Sequence, residues 1–420
     1  MVPRMVDEPQ SVPDNKPRHG HWLPRDESAL AAFRQGVAVH AEARGGPALT
    51  PPVQALYDTI EADPLLRMHL SQAIRQAMAR GYDLGYVDIP GLMALLDAVM
   101  TYAPPFSTDE LVGCPINALL DWPMCMPSGF AFFQFPQIND CLRALLDQWG
   151  RFLSSRESRT YLSTAAPTGW FSPEAAAHVD MSLFACAPDE PYFGFCSWND
   201  FFTRKLKPGV RPVAGPGDPA IVVNACESTP YRLQARAKLQ DAFWLKAQPY
   251  SLRDIFSLER SDLAEHFVGG TVYQAFLNAY NYHRWHAPVS GTIVEAYNLP
   301  GTYYAEAPSE GLDPAGPNNS QGFITAIATR AVIVIDTGVA GLGRVACVFV
   351  GMSEISSCIL SVRAGRAVEK GEELGYFQYG GSTHCLIFEP KVQLSFVPQP
   401  PFDHDTKLVE VNAVLATVVL

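Results

Sequence analysis

Lys370-Gly371-Glu372-Glu373-Leu374-Gly375-Tyr376-Phe377-Gln378-Tyr379-Gly380-Gly381-Ser382-Thr383 is the stretch on which the reading of this chain turns. A strand-like run, Tyr376 to Tyr379, ends in two glycines, and the next residue is a serine followed by Thr383 and His384. Glycine tolerates backbone angles that other residues avoid, so Gly380-Gly381-Ser382 can hold a strained peptide whose carbonyl is open to attack. This reads as a self-cleaving serine. The plainer reading of the same residues is a Gly-Gly-Ser turn between two strands.

Working outward, the surrounding sequence alternates short apolar runs with Gly, Pro, Asn and Asp, which predicts a β-rich C-terminal half. Expected strands are Ala220 to Val223, Thr271 to Leu277, Thr292 to Tyr297, Ile324 to Ile327, Ala331 to Ile335, Arg344 to Val350, Ser357 to Val362, Thr383 to Phe388 and Val392 to Phe396. Short helices are expected at Trp198 to Lys205, Ser251 to Phe256 and Ser261 to Glu265. Two segments, Ala287 to Val294 and Ala364 to Gly375, resemble the strand-turn-strand signatures of lipoyl and biotinyl carriers and related barrel-sandwich folds. A carrier presents a lysine at a hairpin tip, and no lysine here has that context.

The N-terminal half has a different period. Val53, Leu56, Tyr57 and Ile60, then Leu66, Leu70, Ile74 and Met78, recur at helical spacing, with Asp63 as cap and Pro64 opening the second helix. Further helices are expected at Ser28 to Arg44, Ile89 to Tyr102 and Ile138 to Leu153, whereas Gly113 to Pro136 reads as a long buried loop. The fold class is therefore α+β, a helical N-terminal domain followed by a β-rich, barrel-sandwich-like catalytic domain. The expected layout is a flexible lead at 1–48, helices at 49–165 and the catalytic domain at 166–420.

Composition narrows the function classes. With 48% hydrophobic residues in 420, the chain can bury a large core. The excess of 43 Asp and Glu over 31 Lys and Arg gives a net charge of -12 without a long basic run, which argues against nucleic acid and against stable membrane association. The N-terminus lacks the apolar core of a secretory signal. Val345 to Met352 falls far short of the ~20 apolar residues of a spanning helix. Nine scattered cysteines without a C-x-x-C pair read as reduced thiols, so a cytoplasmic location is expected.

Asn281-Tyr282-His283-Arg284-Trp285-His286-Ala287-Pro288 carries two histidines three residues apart. Without further His or a carboxylate-rich partner nearby they do not read as a metal site, and a pair of polar residues on a strand edge is the plain alternative. They acquire chemistry if they meet Ser382, because a serine hydroxyl needs a base, itself oriented by a carboxylate.

His283 to Pro288 resembles the Y-H-R-x-H-x-P signature of phosphatidylserine decarboxylases, and Gly380 to Thr383 resembles that family's Gly-Ser-Thr processing motif. Trp198 to Leu206 with Arg211-Pro212, and Phe349 to Met352, also match, and the resemblance covers roughly residues 190–420. His283 to Pro300, continued by Pro300 to Ala305, is most similar to a soluble branch that includes the L-tryptophan decarboxylase of psilocybin biosynthesis.

The resemblance implies that Ser382 attacks the carbonyl of Gly381, that the ester eliminates, and that a pyruvoyl group remains at position 382. Two chains, β (1–381) and α (382–420), then stay associated. The ketone forms a Schiff base with the amine of a small amino acid substrate and acts as electron sink, in place of pyridoxal phosphate. By the same resemblance His286 is the base for Ser382 and His283 serves the decarboxylation step. The family's Pro-Ala-Asp acid is replaced here by Asn224-Ala225-Cys226-Glu227-Ser228, which makes Glu227 the candidate acid. Asp200 is a second candidate by type, although its place in Asn-Asp-Phe-Phe suits a helix cap. Trp285, Tyr303, Tyr304 and Phe349 are candidate substrate contacts, each with core packing as the alternative. Expected function is decarboxylation of an aromatic L-amino acid such as tryptophan; the alternatives are phosphatidylserine decarboxylation and a non-enzymatic binding module.

Overall fold

The computed structural model describes residues 27–43, 48–108, 114–241, 250–306, 320–354, 357–379, 382–403 and 406–420. Helices come first: α1 (Glu27–Ala43), α2 (Pro51–Ala62), α3 (Pro64–Ala79), α4 (Ile89–Val99), α5 (Pro115–Met124), α6 (Pro127–Phe132) and α7 (Pro136–Leu153). From α2 to α7 each has proline in its first two positions, where a fixed φ and a missing N–H favour initiation. This corrects the expected loop at Gly113 to Pro136: the prolines there start α5, α6 and α7. Asp63 caps α3 by accepting the Leu65 N–H at 2.8 Å. The apolar stripes meet inside, with Val53, Leu56, Leu70, Ile74, Leu142, Leu145 and Trp149 all buried. Phe33 and Val37 of α1 are buried in the same core.

After α8 (Pro173–Ala176) and α9 (Trp198–Phe202) come β1 (Ile221–Val223), β2 (Thr229–Gln234), α10 (Leu252–Phe256), α11 (Ser261–His266), β3 (Thr271–Leu277), β4 (Arg284–His286) and β5 (Gly291–Leu299). The remainder is α12 (Gln321–Ile327), β6 (Arg330–Asp336), β7 (Arg344–Gly351), β8 (Ser357–Leu360), β9 (Ala367–Val368), β10 (Glu373–Gln378), β11 (Ser382–Phe388), β12 (Leu394–Phe396) and β13 (Val414–Val418). The protein is thus α+β.

Among the described residues the strands form open antiparallel sheets in the orders β2-β3-β11-β7-β6-β5-β9, β4-β10-β8 and β1-β13-β12, without a closed barrel. Trp285 of β4 stacks on Phe349 of β7 at 4.1 Å, and this pair joins the second sheet to the first. Phe396 of β12 stacks on Tyr273 of β3 and brings in the third. Because β7 and β11 are covered on both faces, Val345 to Val350 is buried at every position and shows no polar alternation. At Gly375 a Cβ would lie 2.2 Å from the Ile359 carbonyl and 2.7 Å from the Trp285 ring, so β10 is seated closely only as glycine.

One expected strand is helix. Ile324 to Ile327 lies in α12, where Thr325 Oγ1 donates to the Gln321 carbonyl at 2.7 Å. A four-residue apolar run does not distinguish the two periods, and burial of Gln321 and Thr325 against Gln274 of β3 favours the helix here.

Candidate active site

Ser382 is the first residue of β11, paired across to Leu277 of β3 and Gly351 of β7. It is fully buried, and its Oγ makes no hydrogen bond. Thr383 faces the opposite side of the sheet, where its hydroxyl accepts from Gln274 Nε2 at 3.0 Å and donates to the Ala275 carbonyl at 3.0 Å. On the N-terminal side, Tyr379 has φ 53°, a left-handed conformation disfavoured for a bulky residue. Its hydroxyl donates to the Gly150 carbonyl of α7 at 3.0 Å, and its ring packs on Trp149. The chain is therefore pinned at Tyr379 by the helical part and at Ser382 by the sheet. Gly380 and Gly381, which hold the expected cleavage site, lie outside the described residues.

His283 is buried with its ring stacked on Phe202 at 4.2 Å, and its carbonyl accepts the Phe377 N–H at 2.9 Å. The Trp198-to-Leu206 motif supplies that neighbour and a clamp: Arg204, buried, donates to the Tyr280 and Asn281 carbonyls. Burial lowers the Arg204 pKa to about 10, still well above neutrality. Arg284 donates to the Thr203 carbonyl at 2.9 Å and to both oxygens of Glu373 at 2.9 and 3.0 Å, tying β4 to α9 and β10.

His286 sits opposite Glu373, while His283 bonds to Phe377, so the two histidines lie at opposite ends of β10. Three residues of chain keep His283 and His286 within about 10 Å of each other, Cα to Cα. Nδ1 of His286 lies 2.7 Å from the Gly371 carbonyl and must donate to it, which leaves Nε2 to accept from the Tyr282 hydroxyl at 2.9 Å. Burial lowers the His286 pKa, the Gly371 contact opposing. Both ring nitrogens are thus engaged by groups other than Ser382. Gly371 itself needs its φ of +83° for the turn that aims this carbonyl.

Glu227 lies beside β4, since the His286 N–H donates to the Ala225 carbonyl at 2.8 Å. Its carboxylate, however, is held by Arg211 at 2.7 and 3.2 Å and by the Val411 N–H at 3.3 Å. The structure therefore gathers His286 and Glu227 into one neighbourhood without a Ser382–His286–Glu227 hydrogen-bond chain. Asp200 lies in the first turn of α9 and reaches back to accept the Cys196 N–H at 2.9 Å, while the cap itself is Ser197, whose hydroxyl accepts the Asp200 N–H at 3.1 Å. Trp285 and Phe349 are spent on the contact between sheets.

Two residues at this end have no role in the sequence reading, where His384 is noted only as a neighbour of Ser382 and Glu354 is not named. His384 shares the face of Ser382 by the two-residue period of β11, and burial holds its pKa down to about 3, so the ring is neutral. Glu354, just past the Phe349-to-Met352 motif, is fully buried, and an acid in so apolar a run was the signal available. Among the described residues no cluster of three or more His, Cys, Asp or Glu is arranged for a metal, and no helix is long and apolar enough to cross a membrane.

A family model described as phosphatidylserine decarboxylase matches residues 198–402, and a second of the same description matches 50–179. Decarboxylase iboD of Amanita muscaria is 36% identical over 326 residues, covering 73% of this chain and 91% of that protein. L-tryptophan decarboxylase of Psilocybe cubensis is 30% identical over 429 residues, covering 96% and 94%. The chain belongs to the phosphatidylserine decarboxylase family. Phosphatidylserine decarboxylase proenzyme 3 of Schizosaccharomyces pombe is 37% identical over 209 residues, covering 49% of this chain and 20% of that protein. This decarboxylase is therefore an enzyme, a carboxy-lyase, and the carrier-module alternative falls.

Proposed function

We propose that the protein is a cytoplasmic, self-processing decarboxylase of an aromatic L-amino acid, with tryptophan as first candidate, that uses a pyruvoyl group made from Ser382. The observation that carries this reading is Ser382 itself: a buried hydroxyl without a partner, three residues beyond a left-handed Tyr379, in the family's processing motif. A pyruvoyl group at this position supplies a ketone that condenses with the substrate amine and takes up the electron pair left by carbon dioxide. The residues present suit it, since residue 382 is held between two strands in an apolar site that excludes water.

In this reading the cut falls between Gly381 and Ser382, and residues 1–381 and 382–420 remain associated through the β3-β11-β7 ladder. The helical domain is assigned to 49–165 and the catalytic domain to 166–420. His286, backed by Glu227, is the processing base, which requires Nε2 to leave Tyr282, the ring to approach Ser382 from the Glu373 end of β10, and Glu227 to turn from Arg211. His283, at the Ser382 end of β10, returns a proton to the substrate carbon. A free amino acid is favoured over a lipid by the relatives that match almost end to end and by the charge of -12.

The test is intact mass with and without hydroxylamine, followed by carbon dioxide release from tryptophan, tyrosine, phenylalanine and dispersed phosphatidylserine. Two chains and turnover of an aromatic amino acid support the reading. A single full-length species without a reactive carbonyl overturns the pyruvoyl step, and activity on the lipid alone overturns the substrate.

A further inference from the structure

Gly351, the strand partner of Ser382, is followed by Met352, by Ser353 in a left-handed conformation (φ 59°) and by Glu354. Three residues reach at most about 10 Å, so this turn keeps Glu354 within that distance of the strand partner of position 382. Its Oε1 accepts the Asn117 N–H of α5 at 2.7 Å, and Ser353 Oγ donates to Asn117 Oδ1 at 2.8 Å. Asn117 thus grips the turn with both backbone and side chain. The other oxygen, Oε2, is buried without a hydrogen bond, as is the hydroxyl of neighbouring Tyr304. Phe133, whose ring lies 6.5 Å from that of Tyr304, adds an aromatic wall.

An orphaned polar atom in a core costs roughly 1–3 kcal/mol, and this region holds two. The Asn117 N–H satisfies Oε1, while the Ile116 N–H, the Glu354 N–H and the Cys114 thiol lie about the carboxylate without supplying Oε2 a hydrogen bond. We propose that Glu354 is a specificity-determining residue of the decarboxylation site, its Oε2 accepting a hydrogen bond from an N–H at the ring end of the amino acid substrate. Burial pushes the Glu354 carboxyl up to about 7, against contacts from the Asn117, Glu354 and Ile116 N–H groups and the Cys114 thiol, so a substrate donor here adds to a partial relief of the desolvated acid. The helical part of the chain, through Asn117, then orients the group that selects the substrate.

This inference rests on the proposed amino acid decarboxylase, and its experiment separates the two. The substrates are tryptophan, its benzothienyl analogue in which sulfur replaces the ring N–H, and phenylalanine. On the unaltered enzyme tryptophan should exceed the benzothienyl analogue in kcat/KM by about 10- to 100-fold, the worth of one buried hydrogen bond. In Glu354→Gln, whose amide keeps an oxygen for Asn117 and turns an N–H towards the substrate, that ratio should fall towards one. Equal use of the two substrates by the unaltered enzyme overturns the inference while the function stands, and needs no variant to fold. A ratio unchanged in Glu354→Gln overturns it as well. No turnover of any aromatic amino acid overturns both.

Discussion

The two ends of β10 differ in how completely their polar groups are satisfied. At the Glu373 end His286 has two partners, Arg284 and Glu373 form a double hydrogen bond, and Glu227 is forked onto Arg211. At the other end Ser382 Oγ and Glu354 Oε2 have none, and Tyr379 sits in a disfavoured backbone region. Satisfied groups are stable where they are, whereas unsatisfied ones persist only where surrounding structure dictates them. The comparison places the unsatisfied nucleophile at the Ser382 end and its proposed base, held by other partners, at the Glu373 end.

The largest expected effect is all-or-none. Ser382→Ala should leave one full-length chain by intact mass, and two chains from that variant would move the reaction away from this end. Next come the histidines, which divide between the ends. His286→Ala should slow cleavage about 100-fold or more, followed by gel or mass over time, because it removes the proposed base. His283→Ala should still cleave but lose about 10²- to 10⁴-fold in kcat. Normal cleavage in His286→Ala would make its hydrogen bonds purely structural and would pass the base's role to the Ser382 end.

A pH effect of about 3 kcal/mol should follow from Glu354, whose carboxyl is raised by burial to about 7 from the usual range near 4.5. The folded carboxyl stays protonated after the unfolded one has ionised. Its contribution is therefore intact below about pH 4.5 and is lost as pH rises to about 7, levelling beyond. Denaturant unfolding of uncleaved Ser382→Ala protein across pH 4.5–7.5, with and without Glu354→Gln, reads this; the same slope in both would show that the acid is not desolvated as described.

Much of this was legible beforehand. The Asp63-Pro64 break, the stripes of α3 and α7 and most central strands follow from period and caps. Gly113 to Pro136 was misread because proline breaks a helix in its interior and starts one at its first turn, and position decides which. Ile324 to Ile327 was misread because four apolar residues fit either period. The motifs named Ser382, His283 and His286, but not that β10 separates the histidines, since spacing in sequence says nothing of the register against Glu373 and Phe377. Glu354 was passed over because its meaning depends on Asn117 of α5, more than 200 residues earlier.

The smallest effect examines whether strain at Tyr379 serves cleavage or only packing. Tyr379→Phe keeps the ring on Trp149 and removes the hydrogen bond to the Gly150 carbonyl, a loss of about 1 kcal/mol in stability. If that bond merely stabilises the fold, the unfolding free energy of the uncleaved form should drop by this amount and the cleavage half-time should stay put. If it holds residues 379–382 in the reactive geometry, cleavage should slow about fivefold, because the loss is then felt in the transition state. The second outcome is expected, since φ 53° at a bulky residue needs something to hold it, and the Gly150 contact is the polar tie that the structure provides.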